Sequence, residues 1–121
     1  MAVHTKITLD DIERFTCGSC YQLAEAIRDA TGWPVYAFWD DHFQDYDIHA
    51  FTKTPRGTYL DILGEHSRYR MLRYWGERHI RKVHESFSLR TWDFGNPFFD
   101  SAPRAREIVP LLIAGYEKES A

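Results

Sequence analysis

Three residues of this chain, Cys20, His49 and Asp61, are of the types that nucleophilic catalysis by a thiol requires. In such chemistry a thiolate attacks a carbonyl carbon, an imidazole takes the proton of the thiol, and a carboxylate orients the imidazole. The sequence therefore predicts thiol-dependent acyl chemistry, provided that the fold brings these three side chains together.

The cysteine is predicted to begin a helix. Gly18 and Ser19 break the chain just before it, apolar residues then recur at helical spacing, and Gly32 is a typical helix stop. A thiol at a helix N-terminus meets backbone N–H groups that lack a partner and the positive end of the helix dipole, and both favour the thiolate. The same N–H groups can stabilise an oxyanion during acyl transfer.

The histidine and the aspartate are predicted to lie on the two strands of a hairpin. A type I turn from Thr54 to Gly57, with Gly57 in the left-handed region as a bulge, pairs Thr54 with Thr58. Counting outward from that pair places His49 and Asp61 diagonally on one face, about 7–8 Å apart at the backbone. Without the bulge they would lie on opposite faces, so the proposed pairing depends on Gly57.

Four segments, GSCYQLAEAI, GWPVYAFWD, IHAF and GTYLDILG, resemble the motifs of a group of small bacterial and phage proteins. These proteins are similar to the papain-like fold, alongside transglutaminase-like and NlpC-type peptidases. The resemblance covers residues 16–75. It implies that Cys20 is the nucleophile, His49 the general base and Asp61 the residue that orients it.

The implied activity is that of a thiol-dependent hydrolase or acyltransferase of the peptidase, amidase or deamidase type. Its substrate would be a peptide, a protein or another amide-containing molecule. Papain has an oxyanion glutamine a few residues before its cysteine, where this chain has Arg14, Phe15 and Thr16.

Other functions compete with this hypothesis. Cys17 and Cys20 form a Cys-x-x-Cys motif, but a redox dithiol is expected after a buried strand and the preceding segment is predicted to be helical. Cys17, Cys20, His42 and His49 could bind zinc, although no second Cys-x-x-Cys pair is present. A non-catalytic papain-like binding module that acts on a host or partner protein is the main alternative.

The remaining histidines lack partners in any sequence pattern, and we interpret them as surface or packing residues; they are His66, His79 and His84. The acidic loop 40–47 is interpreted as solvated, because the spacing of a calcium loop is absent.

The 121 residues predict a single domain over 1–121 with no cofactor. A net charge of −3 and the lack of a long basic run argue against nucleic-acid binding. No stretch has the apolar length of a membrane span or of a signal peptide, and two cysteines are too few for a disulfide framework. We therefore expect a cytoplasmic protein with no membrane partner.

The expected fold class is α+β and papain-like, with the cysteine-bearing helix packed on a small antiparallel sheet. The segments predicted as strands are 35–39, 47–53, 58–63 and 80–89. Helices are predicted from Thr8 as a cap, over 20–31, over 67–75 and over 102–118, the last of them kinked or split at Pro110.

Overall fold

The computed structural model describes residues 6–16, 19–39, 49–75, 79–82 and 101–119. Within these ranges the chain forms four α-helices and five β-strands, which confirms the α+β class. In chain order the elements are α1 (Leu9–Thr16), α2 (Cys20–Thr31), β1 (Val35–Trp39), β2 (Ala50–Lys53), β3 (Tyr59–Asp61), β4 (Gly64–His66), α3 (Arg68–Trp75), β5 (His79–Lys82) and α4 (Ala102–Glu119). In this part of the chain, none of the helices combines the length and apolarity that crossing a bilayer requires.

The five strands form one antiparallel sheet in the order β4-β3-β2-β1-β5. Helix α2 packs on one face, where Val35, Ala37 and Ala50 are buried. Phe38 and Phe51 alternate with these residues along β1 and β2, and they pack with Met71 of α3. The sheet therefore has α2 on one face and α3 on the other.

The hairpin between β2 and β3 has the predicted register. Gly57 lies in the left-handed region at φ 81°. The Thr54 N–H donates to the Thr58 carbonyl at 2.8 Å, and the Gly57 N–H donates to the Thr54 carbonyl at 3.0 Å. Thr52 is paired with Leu60. The bulge that the site hypothesis requires is therefore present.

Replacing Gly57 with alanine should lower the free energy of unfolding by about 1 kcal/mol, because a Cβ is strained at this φ. No heavy atom lies within 4 Å of where that Cβ would sit, so the cost comes from the backbone and not from a clash. The measurement is urea unfolding, with Gly57→Asn as the control, since asparagine tolerates the left-handed region. An alanine variant as stable as the wild type would contradict the left-handed turn.

The end of the hairpin differs from the prediction. The segment 58–63 was expected to be one strand ended by Gly64, but β3 stops at Asp61 and Gly64 begins β4. The Asp61 carboxylate accepts the Leu63 N–H at 2.9 Å, and Gly64 has φ 103°, so the chain reverses and pairs Asp61 with Gly64. The predicted strand 80–89 is seen as β5 over its first part, and 83–89 lies outside the described residues.

The first two helices begin and end as predicted. The Thr8 hydroxyl accepts the Asp11 N–H at 3.1 Å, and the Asp11 carboxylate accepts the Thr8 N–H at 2.9 Å, which is a reciprocal cap. At the end of α2, Gly32 adopts φ 79° and its N–H donates to the Arg28 carbonyl.

Helix α4 is continuous through Pro110, so of the predicted kink or split the split does not occur. A proline inside a helix removes one backbone hydrogen bond and costs about 3 kcal/mol. Ile108, Val109 and Leu112 flank it and are buried in the core with Leu23 and Ile27 of α2. Burial of apolar surface on both sides of the proline offsets this cost.

Candidate active site

Cys20 is the first residue of α2. The Ser19 carbonyl accepts the N–H groups of Gln22 and Leu23 at 3.1 and 3.3 Å, so the N–H groups of Cys20 and Tyr21 have no acceptor within the helix. The Cys20 Sγ itself accepts the Ala50 N–H at 3.4 Å. The sulfur therefore lies where α2 begins and β2 starts, beside a backbone N–H donor.

His49 directly precedes β2. Its carbonyl accepts the Phe38 N–H at 3.0 Å, which extends the pairing of β1 and β2 by one residue. Its Nε2 lies 2.9 Å from Oδ2 of Asp61. His49 is fully buried and Asp61 is 3% exposed. The structure thus brings the predicted histidine and aspartate together.

The electrostatics of the pair favour an imidazolium and a carboxylate. Burial alone lowers the pKa of His49, but the hydrogen bond to Asp61 and the hydrogen bond and charge attraction of Cys20 outweigh it and raise the pKa to about 9. Burial alone raises the pKa of Asp61, but hydrogen bonds from His49 and His66 hold that pKa well below its usual range. The Cys20 and Asp61 side chains therefore both act on the same imidazole.

His66 belongs to this site, and its interpretation as a surface or packing residue was wrong. It is 9% exposed, and its Nε2 lies 3.0 Å from Oδ1 of Asp61. No sequence pattern linked His66 to Asp61 directly. The chain brings them together by reversing at Leu63 and Gly64, and from the sequence that point was interpreted as the end of a strand.

The residues that shortly precede Cys20 make contacts within the fold. Phe15 is buried in the core, the Thr16 hydroxyl donates to the Ile12 carbonyl at 2.6 Å, and the Arg14 guanidinium pairs with Asp10 at 3.2 Å. The start of α2 instead supplies backbone N–H groups beside the sulfur, and these are suitable oxyanion donors.

The beginning of α2 is tied to the beginning of α4. The Ser19 and Ser101 hydroxyls are 3.0 Å apart, and the Gln22 side-chain oxygen accepts the Ser101 N–H at 3.0 Å. Ser19 and Ser101 are fully buried, so this contact fixes the helix end that carries Cys20.

Cys20 is buried, with 2% of its surface exposed. Among the residues that the structure describes, no group of three or more histidine, cysteine, aspartate or glutamate side chains is arranged to hold a metal ion. Cys17 and His42, which the zinc and redox alternatives need, lie outside the described residues, as does the acidic loop 40–47.

Comparison of the chain with models of known protein families, with curated proteins and with solved structures gave no match. The papain-like assignment therefore depends on the sequence motifs, and the site depends on its own geometry.

Proposed function

We propose that this protein is a thiol-dependent hydrolase or acyltransferase of the papain-like kind, of the peptidase, amidase or deamidase type. The observation that carries the proposal is the convergence of Cys20, His49 and Asp61 at the start of α2. A buried ion pair is often no more stabilising than apolar residues of similar volume, so its presence beside a thiol favours a chemical role.

In the first step the proton of the Cys20 thiol passes to His49. Asp61 occupies Nε2 of the imidazole, which leaves Nδ1 as the ring nitrogen that can take this proton. The raised pKa of His49 favours the imidazolium that this step forms.

The thiolate then attacks the carbonyl carbon of an amide and forms a C–S bond. The oxygen becomes an oxyanion, and we assign its stabilisation to the backbone N–H groups at the start of α2. When the tetrahedral intermediate collapses, the C–N bond breaks, the amine leaves with the proton from His49, and a thioester remains on Cys20. Water, activated by His49, hydrolyses the thioester to a carboxylate, or an amine takes the acyl group.

A non-catalytic papain-like module that binds a host or partner protein is the second candidate. The observation that favours it is burial: Cys20 is 2% exposed and His49 is not exposed at all. In that case the thiol would react as an ordinary cysteine does, and the histidine and aspartate would serve only the fold.

Alkylation of Cys20 by iodoacetamide across pH separates the two candidates. In a Cys17→Ser background the alkylation rate at pH 6 should be about tenfold higher than in the same protein carrying His49→Ala, because the imidazolium stabilises the thiolate. An ordinary cysteine, with a pKa of about 8.5, is almost entirely protonated at pH 6. The ratio of rates at pH 6 and pH 8.5 corrects for slow access to a buried sulfur.

The same protein unfolded in urea provides the ordinary thiol for reference, and circular dichroism establishes that the histidine variant is folded. If His49→Ala does not fold, His49→Gln replaces it. A folded wild type whose alkylation follows the pH dependence of the unfolded chain would refute the catalytic proposal and favour the binding module.

A further inference from the structure

His66 holds the other side of the carboxylate that orients His49. Asp61 accepts three hydrogen bonds: Oδ2 faces Nε2 of His49 at 2.9 Å, and Oδ1 faces both Nε2 of His66 at 3.0 Å and the Leu63 N–H at 2.9 Å. An ionised carboxylate only accepts hydrogen bonds, so each histidine must present an Nε2–H to it.

We propose that His66 is a positioning residue that acts through Asp61 and fixes the Asp61 carboxylate toward His49. This inference rests on the proposed function, because it assigns His66 a part in holding the same catalytic site. The two oxygens have separate tasks, since His66 and Leu63 restrain Oδ1 while Oδ2 is left for His49.

Burial decreases along the network from His49 to the protein surface. The His49 side chain is not exposed, that of Asp61 is 3% exposed and that of His66 is 10% exposed. Because the Asp61 carboxylate itself is only 3% exposed, the loss of a hydrogen-bond donor to it is poorly compensated by solvent.

Other charged and titratable groups lie around His66. Glu65, its neighbour on β4, interacts with it electrostatically and pairs with Arg56 at 2.8 Å. Tyr59 pairs with His66 across the sheet, and the Arg68 guanidinium donates to the Tyr59 hydroxyl at 3.3 Å. Arg70 and Tyr116 line a cavity together with Glu65. None of these residues is substituted in the variants described below.

The test compares His66→Phe, which fills the space without a donor, with His66→Gln, whose amide can still donate to Asp61. Without the His66 donor the Asp61 carboxylate is less well fixed toward His49, so it supports the imidazolium beside the thiolate less well. In His66→Phe the pH below which Cys20 alkylation falls off should therefore rise by about 0.5–1 unit. In His66→Gln the pH below which Cys20 alkylation falls off should be closer to the wild-type value, because the amide can donate to Asp61.

Met71→Leu is the matched control, because Met71 is buried in the cluster with Tyr59 and the swap perturbs packing without touching Asp61. If Cys20 alkylation in the wild type falls off at the same pH as alkylation of an ordinary thiol, the proposed function is wrong. If alkylation in the wild type persists to a lower pH, and His66→Phe has the same pH profile as the wild type, the role of His66 is wrong and the proposed function stands.

Nitrogen-15 NMR of the wild-type histidine rings gives a readout that needs no variant. The inference expects a proton on Nε2 of His66 at neutral pH, protected from exchange by its bond to Asp61. A His66 ring that carries its proton only on Nδ1 would overturn the proposed restraint.

Discussion

Asp61→Leu should lower the free energy of unfolding by about 3–5 kcal/mol, the typical cost of removing one partner from a buried ion pair. The substitution leaves the Nε2–H groups of His49 and His66 and the Leu63 N–H without their acceptor. Urea unfolding at pH 6, where the pair is charged, measures the loss.

Two further variants make the result interpretable. Asp61→Asn keeps the volume and one acceptor oxygen, so it should cost less than Asp61→Leu. Asp29→Asn, on an aspartate whose side chain is 75% exposed, should change the free energy of unfolding by less than about 0.5 kcal/mol. A loss in Asp61→Leu no greater than that in Asp29→Asn would contradict the buried network.

Stability should fall as pH rises from about 6.5 to 9. The pKa of His49 is raised from 6.5 to about 9 in the folded protein, so the folded state binds the proton more tightly than the unfolded chain. The contribution of His49 is therefore fully present below pH 6.5 and is lost as pH rises through about 9. The expected loss of unfolding free energy is about 2–3 kcal/mol, measured by urea unfolding at pH 6 and pH 9.5.

His49→Gln isolates this effect from the titration of other groups. The difference between the wild type and His49→Gln should shrink between the two pH values, because the variant has no proton to lose at this position. Cys20→Ser should keep the part of the effect that Asp61 provides. Parallel curves for the wild type and His49→Gln would show that the imidazole gains no proton affinity on folding.

The lowered pKa of Asp61 has the opposite effect on the pH dependence of stability, because it makes the free energy of unfolding decrease at low pH. Its contribution is present above the ordinary carboxyl value of 3.8 and is lost as pH falls below it. Taken together, the pair stabilises the fold most between about pH 4 and 6.5.

The parts of the site that local rules govern were predictable from sequence. Gly57 dictated the bulge, the bulge set the register, and the register placed His49 diagonal to Asp61, as found. Helix α2 likewise ends before Gly32, which is a local stop signal. Its start at Cys20 was also predicted, although the Ser19 side chain makes no capping hydrogen bond.

What the sequence could not provide depends on contacts between distant segments. The bond from the Ala50 N–H to the Cys20 sulfur joins residues 30 positions apart, and no local pattern encodes it. The role of His66 was missed because the Asp61 side chain itself stabilises the reversal that brings His66 back. Sequence could not decide whether α4 would be kinked or split at Pro110, because helix continuity there depends on the buried residues that flank it.

The hydroxyl contact between Ser19 and Ser101 spans 82 positions, which has a consequence for the order in which the protein is made. The ribosome must synthesise residue 101 before Ser101 can contact Ser19, and the chain between these two residues must close into a loop to form the contact. A growing chain that already contains Cys20, His49 and Asp61 thus still lacks the tie that fixes its cysteine. The arrangement around the thiol is therefore completed only after residue 101 has been made.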